Sequence, residues 1–523
     1  MKIPAGKALT LIILTMVITH QATSADTLKT GRSRLFFENI TELNLWMRSS
    51  NPAGITFFEN FHAINLVEVN YTLDKKGIFY PAEPGLTNSF SALTKGYKKL
   101  GKLFFSGSFR YVNDHFNDLL YNNTLVFDRD NLYILGDTIG GKQQKEGFLL
   151  KGSAAMPLSK KLRFGIEADY QNYTGAKLKD PRNKNDISLL TITPGLIFSS
   201  NGFMAGISGG PVITNNDVSV SVTEDAKYSL MQFLGYGYYK PVLNIYSYSN
   251  TYYGSGFNTQ LQAKIEKNTF TNFLTVSFNS LNEEVRYGSS NRLTDGISAR
   301  KTLMVRDAQL IKKSKSLHQL DALFSMVRIN GTEMMQHFET VIAGSYRYDT
   351  LITDKKATGK HITANYSGKL EYRFSRYNGE MESYRLRAGL AGDYMRSSHY
   401  PVETNGSQKV MNITPCAGFK KFLVFNKNIL IPEIGAMYRT NIFRDKTYTI
   451  TKWSEPEFQQ LDYIARSSDF LEGSLKLQFI RVTRFRNLPQ YYIDLNSSYT
   501  WFPEDLSVPA NNFFLGTTLG LIF

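Results

Sequence analysis

KLRFGIEADYQNY, residues 161–173, decides the reading of the chain. Leu162, Phe164, Ile166, Ala168 and Tyr170 alternate with Arg163, Gly165, Glu167, Asp169 and Gln171. Successive side chains of a strand leave opposite faces of a sheet, so this stretch has one apolar face and one charged face. KHITANYSGKLEYRFS (360–375) repeats the pattern. Ile362, Ala364, Tyr366, Leu370, Tyr372 and Phe374 alternate there with Thr363, Asn365, Ser367, Lys369, Glu371 and Arg373. SYRLRAGLAGDYM (383–395) sets Arg385, Arg387 and Asp393 opposite Tyr384, Leu386, Leu390 and Tyr394. Soluble strands commonly run ~5–6 residues; these run about twice as far, the ~9–11 residues a tilted strand needs to cross a bilayer. Tyr170, Tyr348, Tyr394 and Tyr499 sit near segment ends, where interfacial girdles place aromatics. A soluble sandwich or propeller would give shorter strands and a repeat of about 40–50 residues, which the chain lacks.

The connections strengthen this reading. Turn residues at Lys99–Gly101, Pro157–Lys160, Ser200–Gly202, Lys267-Asn268, Asn330-Gly331, Asn378-Gly379, Asn426–Asn428 and Asn487–Pro489 alternate with long polar links, among them Asn113–Glu146, Asn215–Gly256, Ser280–Lys315 and Asn441–Arg466. The expected fold is all-β: a transmembrane antiparallel barrel of about 18 strands, with 16 or 20 as the neighbouring even counts. A further hairpin across Tyr228–Tyr253 is the route to 20. Eighteen strands spaced ~4.8 Å and tilted ~40° make a cylinder roughly 35 Å across, with an interior wide enough to need water or a stopper.

Composition is consistent with this. The chain has 523 residues, 60 Lys+Arg against 45 Asp+Glu, and 36 Phe and 31 Tyr but 3 Trp. Mean hydropathy is −0.27, and beyond the N-terminus no apolar run approaches the ~20 residues of a spanning helix. Cys416 is the single cysteine, so no intrachain disulfide is expected. Residues 1–25 read as a secretory signal peptide: Lys2 and Lys7, an apolar stretch over 8–19, then Ala22-Thr23-Ser24-Ala25 before the cut. Residues 26–60 are expected to form a hatch or plug segment and 61–523 the barrel, in the cell outer membrane.

Three resemblances add to this. Trp46-Met47-Arg48-Ser49-Ser50-Asn51-Pro52-Ala53-Gly54-Ile55 resembles the Asn-Pro-Ala-Gly element near the N-terminus of the long-chain fatty-acid transporter superfamily. In those barrels it belongs to a small hatch inside the lumen. The resemblance implies hatch positions at Trp46, Asn51, Pro52, Ala53 and Gly54, although the strand number differs. The whole chain also resembles the uncharacterised outer-membrane barrels of Bacteroidota. Phe513, Leu515, Leu519, Leu521 and the terminal Phe523 resemble the last strand of bacterial outer-membrane barrels. That resemblance implies a signal read by the barrel-assembly machinery.

The wet faces are expected to line the lumen through Arg163, Glu167, Asp169, Arg347, Lys369, Glu371, Arg373, Arg385, Arg387 and Asp393. Their mixed signs suit an internal ion-pair network better than a pore selective for one sign. Arg373, Arg385 and Arg387 together point mildly to an anionic ligand. The seven histidines show no metal-ligand spacing, so no metal, cofactor or catalytic residue is expected. His361 is read as a solvated rim residue near Asp349 and Asp354, and Gly206–Gly210 as relief of crowding in a curved sheet. Lys312, Lys313 and Lys315 are placed in a long outer loop, facing lipopolysaccharide phosphates. Charges are dispersed among strands, so nucleic acid is not an expected partner. Function is expected to be non-enzymatic: a channel or transporter passing a small molecule through a plugged lumen. The alternatives are a non-conducting partner barrel of a larger uptake or secretion complex, whose long outer loops meet a protein partner, and an outer-membrane hydrolase.

Overall fold

The computed structural model describes residues 43–58, 63–177, 179–222, 230–242, 247–287, 293–343, 346–354, 359–379, 381–401, 406–425, 428–481, 489–502 and 511–523. The expected signal peptide, residues 1–25, and residues 26–42, 59 and 60 of the expected hatch lie outside them.

One antiparallel sheet closes on itself. Its strands are β1 Ala63–Lys75, β2 Leu86–Leu100, β3 Leu103–Asn117, β4 Gln143–Pro157, β5 Leu162–Lys177 and β6 Arg182–Ser200. β7 Phe203–Ser221, β8 Ser247–Lys267, β9 Phe270–Tyr287, β10 Leu293–Lys313, β11 Ser316–Glu333 and β12 Gly359–Asn378 follow. β13 Met381–Pro401, β14 Gly406–Lys421, β15 Asn428–Tyr448, β16 Phe470–Arg481, β17 Gln490–Trp501 and β18 Asn511–Ile522 complete the wall. Leu423–Phe425 continues β14 past Phe422, so the described wall has 18 strands. Each strand pairs with its sequence neighbour. The seam is β1 on β18, from Leu66 opposite Ile522 to Lys75 opposite Phe513. The Phe523 backbone N–H and C=O both bond Asn65, at 3.0 and 2.7 Å.

Alternation sets the two faces. Ile166, Leu196, Ile207, Leu261, Leu370, Leu390 and Leu519 stand on the outer wall, 39–53% exposed. An apolar belt of this extent is unstable in water and matches a hydrocarbon sleeve, and closure leaves no strand edge for lipid to strip. No helix among the described residues is long and apolar enough to cross a membrane. The protein is an outer-membrane β-barrel. Short turns lie at one end: Asn201 (φ 39°) and Gly202 (φ 81°) take the left-handed conformation that a two-residue hairpin needs. The long connections gather at the other end, the outer one in such barrels.

Two expectations fail in one region. Residues 280–315 are not an outer loop: β10 runs through them, and Asn330-Gly331 lies inside β11. Lys301, Asp307 and Gln309 interrupt the lipid-facing side of β10 and mask its alternation. Conversely, Met335–Ala343 and Tyr346–Asp354 alternate well but pair only with each other, as a hairpin apart from the wall. Arg347 and Tyr348 therefore lie on that hairpin, not on the barrel; the side chain of Arg347 is outside the described part. The two errors cancel, which preserves the strand count. Lys312, Lys313 and Lys315 sit at the short turn between β10 and β11, the end opposite to the expected one.

Candidate functional site in the barrel lumen

The lumen is occupied from both ends. At the short-turn end, residues 43–58 fold against the inner wall. The Asn44 side chain accepts from the Met47 N–H and starts the helical turn Leu45–Arg48. Asn51 caps the 3-10 turn Pro52–Phe57, accepting from the Ala53 N–H at 3.1 Å, with Pro52 at the position that needs no donor. The same Asn51 amide donates to the Leu196 carbonyl at 3.1 Å, the Ile207 carbonyl at 3.2 Å and Gln262 Oε1 at 3.1 Å. Ala53 is fully buried, and Gly54 packs on the Trp46 carbonyl where a Cβ would meet oxygen at 2.5 Å.

Three wall glycines open the seat. A Cβ at Gly165 would lie 2.5 Å from the Ala53 nitrogen, at Gly195 2.3 Å from Asn51 Oδ1, and at Gly206 2.8 Å from the Trp46 ring. Gly206 thus makes room for a tryptophan rather than easing sheet curvature. Trp46 is 1% exposed, edge-on to Phe273 (4.9 Å between centroids) and stacked on Phe57. Below it, Phe58 joins an apolar floor of Ile64, Leu66, Tyr97, Ile431 and Ile480. All five hatch positions named from sequence meet in this seat.

Polar contacts tie the segment to the charged wall. Arg48 reaches Asp321 at 3.4 Å, which also holds Arg306 at 3.0 Å and Arg373 at 3.6 Å. Arg163 lies over the Phe57 ring, 4.4 Å from its centroid, and donates to Ser199 Oγ. Glu167 pairs with Lys151 and accepts from Ser153; Asp169 accepts from Gln171, and Asp393 from Asn412. Glu371 holds Lys369 and Arg373, and Glu382 holds Arg385. Arg48, Asp321 and Arg306 were not singled out in sequence, because nothing local marks which inward charges face the hatch.

A cavity of about 200 Å³ opens among Glu371, Arg373, Arg385, Arg387, Lys420 and Glu433. Four cations face two carboxylates. Arg387 makes no ion pair among the described residues, and its buried Nε finds no acceptor. Gly418 and Gly435 leave the space its guanidinium fills, with Cβ positions 3.1 and 3.3 Å away. This is the region where sequence pointed to an anionic ligand.

The outer mouth is crossed by a folded cap. Residues 118–142 run from wall to wall. Asn183 and Asn185 donate to the Asn123 carbonyl and Asn216 to that of Thr124; opposite, Tyr133 fills the space above Gly296 and Leu132 that above Gly331. Leu135–Gly136, Leu230–Phe233 and Tyr239–Val242 form a small sheet there, so of the extra hairpin considered at Tyr228–Tyr253 the described residues 230–242 belong to the cap and 247–253 to wall strand β8. The helix Pro456–Ser467 inserts Phe458 between Phe233, Tyr121 and Tyr80, at centroid distances of 5.0, 5.4 and 5.6 Å. Lys177 bonds Asp137 at 3.0 Å with both side chains buried. Arg466 pairs with Asp462 at 2.7 Å and Asp130 at 3.7 Å; burial disfavours its charge, but these carboxylates hold its proton more firmly than usual. His361 is not solvated: it is buried beneath the cap against Thr363, Ser397 and His399, with Tyr238 stacked on His399.

Comparison with known proteins follows from this geometry. A family model described as a family of unknown function, DUF6850, matches residues 52–523. No curated protein matches. Among solved structures, the chain is similar to the FrpB iron transporter from Neisseria meningitidis: 9% identity, 90% of this chain and 83% of that one, TM-score 0.39. The RagAB peptide importer gives 6% identity, 88% and 86% coverage and 0.40. The ferric yersiniabactin uptake receptor FyuA from Yersinia pestis gives 8%, 88% and 80%, and 0.39.

Proposed function

Because the chain belongs to the DUF6850 family, whose function is unknown, we propose a role from its own geometry: an outer-membrane transporter that passes a small anionic solute through a doubly closed lumen. Residues 43–58 act as the hatch, and the cavity beside Arg387 lies on the path. The observation that carries this reading is the hatch seat. The segment rests in a recess cleared by Gly165, Gly195 and Gly206, seated through buried Trp46 and Asn51 and tied to the charged wall by the partly exposed Arg48–Asp321 ion pair. Arg373, Arg385 and Lys420 are ion-paired there, so Arg387, without an ion pair among the described residues, is what favours an anion over a cation.

A tether tests the hatch. The Ser50 backbone N–H donates to the tip of the Gln260 side chain, Oε1, at 3.2 Å, so cysteines at these two positions, in a Cys416→Ser background, lie within reach of a short, reductant-cleavable bis-thiol crosslinker. In proteoliposomes the crosslinked pair is expected to block flux of small organic anions, and cleavage by reductant to restore it. Equal flux in both states rules the hatch out. Arg387→Gln is expected to shift the anion-to-cation permeability ratio toward unity.

A second reading rests on the cap, whose aromatic core around Phe458 makes it a built surface: a non-conducting barrel that docks a protein partner. Absence of conductance after removal of both hatch and cap would favour it.

A further inference from the structure

The lipid-facing wall carries a feature that transport does not use. On β10–β14 the registers align one row of outward side chains near the outer end: Lys301, Arg328, Ala364, Arg396 and Lys409, each opposite the next. Arg328 and Arg396 are exposed, and neither makes an ion pair among the described residues; Lys409 reaches Asp445 at 3.4 Å. The outer-end row of β3–β8 differs in sign, reading Asn113, Glu146, Thr174, Asp186, Asp217 and Thr251. The positive charge is therefore concentrated on one side of the barrel, directly above an apolar belt.

The wall around the arginines is shaped. A groove of about 360 Å³ straddles their row, with Met326, Tyr366 and Tyr394 on its inner side and Ile362, Ser398 and Tyr400 on its outer side. The Tyr366 and Tyr394 rings stack, with 6.2 Å between centroids. Two residues further toward the bilayer centre, Gly368 and Gly392 face each other across β12 and β13. A Cβ at Gly368 would meet nothing within 4 Å, and one at Gly392 only the Asn412 carbonyl at 3.7 Å. Among the described residues no side chain comes within 4 Å of either Cβ position. Glycine in a strand interior costs stability and often marks close approach by a ligand. Leu370 and Leu390 continue the apolar surface beneath.

We propose that this wall holds a phosphorylated glycolipid of the outer leaflet, with a phosphate between Arg328 and Arg396 and acyl chains over the recess at Gly368 and Gly392. The two arginines stand two strand spacings apart, roughly 10 Å at their backbones, which a pair of guanidinium arms closes around one phosphate. Tyrosines at the headgroup boundary suit the sugar, and the glycine trough suits a chain. Charge, girdle and trough follow the order in which such a lipid presents phosphate, sugar and hydrocarbon. A free anion would use only the first.

Native mass spectrometry of the full chain in detergent tests this, with bisphosphorylated lipid A and its dephosphorylated form as probes. The phosphorylated lipid is expected to bind roughly tenfold more tightly. Arg328→Gln with Arg396→Gln should erase that preference while heat-modifiable gel migration persists. Gly368→Leu with Gly392→Leu should weaken both lipids alike. Lys312→Gln with Lys313→Gln, at the other end, should change nothing. Equal binding of the two lipids, an unaltered preference in the arginine variant, or full displacement by excess inorganic phosphate would overturn the assignment.

Discussion

Asn51 shows how much one side chain carries. Its oxygen caps a turn, and its amide bonds two wall carbonyls and Gln262. Removing such a buried amide leaves several partners unsatisfied, at about 1–3 kcal/mol. Asn51→Ala is therefore expected to loosen residues 45–58 by roughly that amount, seen as faster amide exchange there and unchanged exchange in the strands. Unchanged protection of the segment would refute the anchoring role. Gly195 tests the same seat from the wall, because a side chain there collides with Asn51 and Pro52. Gly195→Val should displace the hatch and raise single-channel conductance without loss of heat-modifiable migration. Wild-type conductance in that variant would show that the recess is not what receives the segment.

At the scale of the element, legibility followed solvent. Strands such as β5, β12 and β13 were readable because lipid on one side and polar lumen on the other impose strict alternation. β10 was not, because charges stand on its lipid-facing side, and the hairpin over Met335–Asp354 imitated a wall strand by alternating equally well. The cap was not legible at all. Its order comes from contacts far apart in sequence, such as Phe458 on Tyr80 and Lys177 on Asp137, and no local period announces them. Trp46 and Asn51–Gly54, which the structure packs together in one wall recess, were singled out by a motif, but Asp321 as the counter-charge of Arg48 was not. The cap makes its own prediction. Phe458→Ala removes the ring at the centre of its core, which costs about 3–5 kcal/mol locally. Exchange should accelerate across 118–142 and 230–242 while β1–β18 keep their protection. Uniform loss over the whole chain would mean that cap and wall form one cooperative unit.

For the whole molecule, two closures stand in series. Opening either leaves the other in place, so deletion of 26–58 alone is expected to raise conductance slightly. The same is expected when 118–142 is replaced by a short linker. Combining the two should give a step far larger than the sum, approaching that of the open barrel, whose backbone cylinder is roughly 35 Å across. Additive small increments would contradict serial gating.

Covalent geometry limits how the inner closure can work. The 3-10 turn ends at Phe57, and the first wall strand begins at Ala63. A chain advances at most ~3.6 Å per residue, so the leash between Phe58 and Ala63 pays out no more than about 18 Å. That is roughly half the backbone diameter of the barrel. On this side the stopper cannot drift away as a free body: it swings about its anchorage, and any solute must slip past a door that stays on its hinge.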